Sequence, residues 1–202
     1  MIPTPVRLIL ASASPRRLEI LRQLGLDPEI RPARVDEALL PGEAATEHVE
    51  RLARAKAELA RLDVPDALVV GADTIVLREG RVLGKPEGPE HAVQMLMSLA
   101  GRSHEVLTGL ALAGDHGVCS DVARTLVRFR DFDVAAARSY VATGEPLDKA
   151  GAYGIQGLGA ALAGGVEGDY YSVVGFPVAL FMDLLERAGW RYDFGSLTRM
   201  AV

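Results

Sequence analysis

The chain is poor in cysteine, in long apolar runs and in surplus positive charge. Its 202 residues include one cysteine, Cys119, so an internal disulfide is impossible and a reducing compartment is favoured. No stretch approaches the ~20 consecutive apolar residues that a membrane-spanning helix needs. The opening "MIPTPVRLILASASPRR" has too short an apolar run for a secretory signal, with its charges on the wrong side of that run. A cytoplasmic protein with no membrane partner is therefore expected. The net charge of −5 supplies no basic field to hold a nucleic-acid backbone, so no nucleic-acid partner is expected. Any phosphate partner has to be captured by a local cluster of cations, which points to a small ligand in a cleft. The four histidines (His48, His91, His104 and His116) show no zinc-ligand spacing. Also missing are GxxxxGK[ST], GxGxxG after a strand, HExxH and a nucleophile elbow.

What is present is ordinary globular material, 49% hydrophobic and 24% charged. The length suits one large domain over residues 1–202, or two closely joined lobes, with a substantial core. Helical and strand patterns alternate, with hairpins mixed in. This predicts an α/β fold whose sheet is not purely parallel, with ligand in a groove between two lobes.

The stretch "RLILASASPRRLEILRQLG" (7–25) opens as a buried strand and closes as an amphipathic helix. Ser14 suits the N-cap, Pro15 the first helical position and Gly25 the left-handed C′ position. Cations in a first helical turn oppose the helix dipole, so capping leaves Arg16 and Arg17 unexplained. Either they are solvated, or an anion sits between them. "PEIRPARVDE" (28–37) reads as a strand leading to Asp36 and Glu37, and residues 45–62 as a helix with Val49, Leu52, Ala53 and Leu59 near one face. Residues 67–88 predict a buried strand, a Glu79-Gly80 hairpin and a return strand reaching Lys85. A helix over 89–101, a second hairpin at Gly114-Asp115-His116-Gly117 and a short helix ended by Gly144 follow. Beyond them come a glycine-rich stretch over 148–162 with strand character at its end, a helix over 176–189 and a frayed tail over 190–202.

Asp73, in "VVGADTIV", lies among apolar and β-branched residues that argue against a turn. A carboxylate there is suited to binding Mg²⁺ or to accepting a proton from water. Glu37 belongs either to a solvated loop or, beside Asp73, to a hard-cation site shared with phosphate oxygens. Lys85 sits between Gly84 and Pro86, and Lys56 between two alanines that leave room around its ammonium. Each lysine taken singly is ordinary surface charge. Gln156, in "AGAYGIQGLGA", lies either in a tight turn or in a base-reading pocket. Its amide, both donor and acceptor, suits a uracil or thymine edge.

Taken in order, "LILASASPRRLEIL", "GADTIV", "GKP", "LAGRSHEVLTGLAL", "EPLDKAGAYGIQGLGA" and "VVGFP" resemble the Maf family of nucleoside triphosphate pyrophosphatases over nearly the whole chain. The resemblance implies a mixed, twisted sheet flanked by helices around a central cleft, as in the Maf and ITPase-like folds, and a homodimer. It implies hydrolysis of a nucleoside triphosphate to the monophosphate and pyrophosphate with a divalent cation, Mg²⁺, Mn²⁺ or Co²⁺. Position by position, Ser12, Ser14, Arg16 and Arg17 match the phosphate-binding signature, and Lys56 and Lys85 match the two cleft lysines. Glu37 matches an acidic position near the metal and Asp73 the residue assigned as proton acceptor or metal ligand. Arg16, Thr74 and Gln156 match positions linked to base choice. The form "AYGIQGLGA" resembles the branch acting on dTTP and UTP. The sister branch, acting on 7-methylguanosine triphosphate, carries an acidic residue in that block. The alternatives are this methylated-purine specificity and a nucleotide-binding regulator of cell division without turnover. Phe176 and Asp169 depart from the family pattern, where leucine and a small serine are usual.

Overall fold

The computed structural model describes residues 6–200. In chain order its elements are β1 (Leu8–Leu10), α1 (Pro15–Gln23), β2 (Glu29–Ile30), α2 (Ala45–Arg61), β3 (Leu68–Arg78) and β4 (Arg81–Leu83). Then come α3 (Pro89–Leu99), β5 (Ser103–Gly114), β6 (Gly117–Phe129) and α4 (Val134–Ala142). Three short 3₁₀ turns (Glu145–Asp148, Ala150–Ala152 and Gly157–Leu162) lead to β7 (Ala163–Glu167), α5 (Tyr170–Val174), α6 (Val178–Arg187), β8 (Trp190–Tyr192) and β9 (Leu197–Arg199). The main sheet runs β2-β1-β3-β5-β6-β7, with β4 also on β3. Strand β1 pairs in parallel with β2 and β3, whereas β3–β4 and β6–β7 are antiparallel. The fold is thus α/β with a mixed sheet, as the alternation of patterns predicts. Among the described residues no helix is long and apolar enough to cross a membrane.

The chain divides into two compact units. The first gathers the residues up to Asp73, Thr108–Ala123 and the chain from Gly175 onward; the second holds Thr74–Leu107 and Arg124–Val174. Strands β3, β5 and β6 each begin in one unit and end in the other.

In the first unit, Val49, Leu52, Ala53, Lys56, Ala57 and Ala60 are buried along one face of α2. Their spacing follows the helical repeat. Small side chains dominate the contact: Ala53, Ala57 and Ala60 pack with Ile9, Ala11, Val69, Ala111 and Ala113. At two points even an alanine is too large. A Cβ on Gly71 would lie 2.2 Å from the Ala53 carbonyl oxygen, and one on Gly109 2.3 Å from that of Val49. Glycine in β3 and β5 therefore lets the backbone of α2 rest directly on the strands. Leu59, expected near the buried face, is 41% exposed, because the buried stripe runs through Lys56 and Ala60 instead.

The local signals of α1 are met with one exception. Pro15 opens the helix, and Gly25 at φ 75° closes it: the Gly25 and Leu26 N–H groups donate to the Arg22 and Leu21 carbonyls, a Schellman ending. Ser14 occupies the N-cap position, but its side chain makes no capping bond. The Glu79-Gly80 turn has φ of 49° and 77°, the two positive values of a type I′ hairpin, and pairs Arg78 with Arg81.

Three segments differ from expectation. The strand expected over 28–37 is only the pair Glu29–Ile30, and Asp36 and Glu37 follow on a non-regular stretch. The segment 148–162 forms 3₁₀ turns, with strand beginning only at Ala163. The tail over 190–202 is not frayed through its described part. Strands β8 and β9 form a hairpin, Tyr192 Oη donates to the Leu24 carbonyl at 2.7 Å, and the Met200 N–H donates to Gly189. The last two residues lie outside the described ones.

Candidate active site

The first unit holds seven of the sequence-predicted residues: Ser12, Ser14, Arg16, Arg17, Glu37, Lys56 and Asp73. Lys56 falls on the buried stripe of α2, where the helical repeat would otherwise place a hydrophobic side chain. Its side chain is 9% exposed. The ammonium donates to Asp73 Oδ1 at 2.7 Å and to Glu37 Oε1 at 2.6 Å. Asp73, at the last position of the first unit in β3, is buried, whereas Glu37 is more than half exposed. A buried lysine between two carboxylates satisfies the rule that buried charges are paired. Breaking the buried Lys56–Asp73 pair by removing either partner typically costs about 3–5 kcal/mol, because the remaining charge is left uncompensated.

Arg17 and Ser12 form a second group beside the first. Arg17 Nη1 donates to Ser12 Oγ and to the Ala72 carbonyl, both at 2.9 Å, and Nε donates to the Gly175 carbonyl at 2.9 Å. Ser12 Oγ also accepts the Ser14 N–H at 3.3 Å. Burial pushes the Arg17 guanidinium down from its ordinary value, partly offset by the Asp73 charge, and neighbouring Arg16 lowers it further. Arg17 remains a cation at neutral pH, since a guanidinium does not lose its proton in proteins. It ties the start of α1 to the strand that carries Asp73. Arg16, half-buried, makes no hydrogen bond or ion pair among the described residues. The two adjacent arginines thus have different surroundings, a distinction the sequence does not reveal.

The stretch that carries Glu37 is held down by groups the sequence reading missed. Arg51 of α2 donates Nε to Glu43 Oε1 at 2.5 Å, and Nη2 to Glu43 Oε2 at 2.9 Å and to the Ala38 carbonyl at 3.1 Å. His48 Nδ1 lies 3.1 Å from Glu43 Oε2. The Arg51 hydrogen bonds, foremost, hold the Glu43 carboxyl well below the usual range, at about 2. Only the spacing of His48 and Arg51 on one helix face carries any sequence signal; Glu43, outside the helix, carries none.

Thr74, Lys85 and Gln156 belong to the second unit. Thr74 follows Asp73 in β3 and is half-buried, Lys85 is exposed just after β4, and Gln156 is exposed before the third 3₁₀ turn. The Gly151 N–H donates to the Gly84 carbonyl at 3.0 Å, joining the Lys85 segment to the glycine-rich segment. The two departures from the family pattern have local explanations. Phe176 is fully buried against Phe181, with ring centroids 5.1 Å apart, and Asp169 Oδ1 accepts the Tyr171 N–H at the start of α5.

For a metal ion, no group of three or more His, Cys, Asp or Glu side chains gathers among the described residues. The available donors are the Glu37 and Asp73 carboxylates. Hard oxygens in that number fit Mg²⁺, Mn²⁺ or Co²⁺ held by one or two carboxylates, with phosphate and water supplying the other ligands.

The fold and this charge cluster define an α/β protein with a buried lysine held by two carboxylates, and the family comparison gives it a family. The model for Maf-like protein matches residues 7–188, and the chain belongs to this family. It is 52% identical over 183 residues to the dTTP/UTP pyrophosphatase of Moorella thermoacetica, spanning 89% of this chain and 93% of the relative. The dTTP/UTP pyrophosphatase of an Anaeromyxobacter species is 51% identical over 91% of this chain and 90% of its own. That of Symbiobacterium thermophilum is 48% identical over 91% of this chain and 95% of its own.

Proposed function

We propose that this chain hydrolyses dTTP and UTP to the nucleoside monophosphate and pyrophosphate. The observation that carries the reading is the Lys56 ammonium held between Asp73 and Glu37 beside the Arg17-anchored start of α1. Such a cluster has the fixed charge of both signs that phosphoryl transfer requires. The names of the close relatives supply the substrate class.

In this reading the phosphates approach the N-terminus of α1, where the first-turn N–H groups and Ser14 meet them. Family likeness assigns Arg16, Lys56 and Lys85 to their charge, with Ser12 and Arg17 in the same phosphate-binding signature. Asp73 takes a proton from the attacking water as its oxygen bonds to the α-phosphorus. The bond from that phosphorus to the bridging oxygen breaks, and pyrophosphate leaves with the electron pair. Glu37 and Asp73 are the residues that would hold a divalent cation, which when bound neutralises phosphate charge. Lys56 keeps the two carboxylates at a fixed spacing. Family likeness assigns Arg16, Thr74 and Gln156 to base choice. The same reading carries a homodimer on family likeness and a cytoplasmic location on the single cysteine.

The test is direct. With Mg²⁺ or Mn²⁺ and dTTP, the purified protein is expected to release dTMP and pyrophosphate. Release of dTDP and orthophosphate overturns cleavage between the α and β phosphates. Asp73→Asn is expected to lower turnover at least 100-fold, in the range typical for a lost general base. Full activity in that variant removes Asp73 from the mechanism, and a division phenotype surviving it favours a regulator without turnover.

A further inference from the structure

Glu145 has no part in the chemistry above, yet its carboxylate is engaged from three sides within the second unit. Tyr140 Oη donates to Oε1 at 2.7 Å, the Gly159 N–H to Oε1 at 3.0 Å and the Leu158 N–H to Oε2 at 2.9 Å. The same tyrosine oxygen accepts the Gly154 N–H at 3.1 Å. These bonds grip the backbone on both sides of Gln156, at Gly154 before it and at Leu158 and Gly159 after it. Gln156 itself stays exposed in an extended conformation, φ −101° and ψ 169°.

The fit leaves no slack. Gly157 sits at φ 66°, and a Cβ there would lie 2.7 Å from Glu145 Oε2. A Cβ on Gly159 would lie 2.4 Å from Tyr140 Oη. Two glycines thus admit the carboxylate and the phenol against the backbone they hold. The Lys149 ammonium donates to the Glu145 carbonyl and, at 2.6 Å, to Asp148, fixing the turn from which the carboxylate projects. Burial alone would raise the Glu145 carboxyl, but its hydrogen bonds with Tyr140, Leu158 and Gly159 bring it below its ordinary value. It is therefore an ionised acceptor, and charge-assisted bonds of this kind are the strong ones.

We propose that Glu145, with Tyr140, is a positioning residue for nucleobase selection: it pre-orders the 154–159 backbone so that Gln156 meets the base edge in one orientation. This rests on the reading that Gln156 contacts the base. A loop already ordered before binding loses little conformational freedom when the base docks, so the advantage falls on KM and on discrimination between bases. None of the groups in this arrangement is among those assigned above to the phosphates.

The experiment compares wild type with Glu145→Gln, Glu145→Ala and Tyr140→Phe. It measures kcat and KM for dTTP, UTP and dCTP, inhibition by inorganic triphosphate, and amide exchange of the 154–159 segment. Glutamine matches glutamate in size but offers one acceptor oxygen, and turns an NH₂ toward amides that also donate. Expected for Glu145→Gln are a rise of about tenfold in KM for dTTP and UTP and a similar loss of preference over dCTP. Exchange in 154–159 should be faster, while kcat and triphosphate inhibition stay within about twofold; the tenfold change in KM is about what one hydrogen bond in binding is worth. Glu145→Ala should exceed it, and Tyr140→Phe should fall between. If Glu145→Ala does not fold, Glu145→Gln decides the matter. A folded Glu145→Gln with unchanged KM and preference overturns the proposal, as does a change confined to kcat or to triphosphate inhibition. Gln156→Ala separates the underlying reading. If it loses base preference while Glu145→Gln keeps it, the positioning role falls. If it keeps base preference, the assignment of Gln156 to the base falls, and the positioning role with it.

Discussion

Gly71→Ala tests whether the direct seating of α2 on β3 is what aligns the charged cluster. The added Cβ would lie 2.2 Å from the Ala53 carbonyl oxygen and 2.7 Å from the Ala57 nitrogen, whereas ordinary contact begins at 3.4 Å. Both obstacles are helix backbone, so no side chain can swing aside. The helix must retreat from the strand by about 1 Å at the turn that carries Lys56. Overpacking of this kind costs about 1–3 kcal/mol. At roughly 2–4 °C per kcal/mol for a chain of this size, Tm should fall by about 2–12 °C. The same retreat draws Lys56 from Asp73, now at 2.7 Å. A misplacement near 1 Å typically lowers turnover on the order of 100-fold. Differential scanning calorimetry and pyrophosphate release from dTTP read the two effects. Gly88→Ala is the control, since a Cβ there meets nothing within 4 Å and its φ of 174° is extended backbone open to alanine. If Gly71→Ala matches Gly88→Ala in both Tm and turnover, the argument that glycine sets the helix position is wrong.

Two further outcomes follow from groups outside the reacting cluster. His104 is buried with Nε2 against Tyr153 Oη at 2.7 Å and, among the described residues, no partner on Nδ1; burial foremost, then the Arg78 charge, pushes its pKa down to about 4. The unfolded chain, with an ordinary histidine near 6.5, then binds more protons between pH 6.5 and 4, so stability is full above that window and declines as pH falls through it. Urea unfolding at pH 7 and pH 5 should show a loss of about 2 kcal/mol from this group, and His104→Gln should remove that increment; an identical slope in the variant rejects the assignment. Arg51→Ala releases Glu43 and the Ala38 carbonyl and so frees the stretch that carries Glu37, which should lower turnover of dTTP about tenfold. The stability gap between this variant and wild type should also close as pH falls from 4.5 toward 2, because the depressed Glu43 carboxyl contributes only while ionised. A gap unchanged across that range removes Glu43 from the clamp.

Features governed by neighbouring residues were legible in the sequence. Pro15 and Gly25 bound α1, and Glu79-Gly80 turns a type I′ hairpin, because each demands a φ that few other residues favour. The spacing of Val49, Leu52 and Ala53 marks the buried stripe of α2, but that Lys56 lies on it and Leu59 does not came only from the packing. The identities of Asp73, Glu37 and the arginines were also available, though not which arginine is tied to carbonyls. What tertiary structure alone decided is non-local. Lys56 meets Glu37 and Asp73 across 19 and 17 residues of chain, Tyr192 reaches Leu24 across 168, and Glu145 grips amides 13 and 14 positions ahead. No local preference encodes such distances. The strand expected over 28–37 shrank to two residues, and the expected frayed tail became a hairpin, because hydrogen-bond partners are assigned by packing. Residue types set what chemistry was possible, and the close approach permitted by Gly71 and Gly109 set where the first charges met.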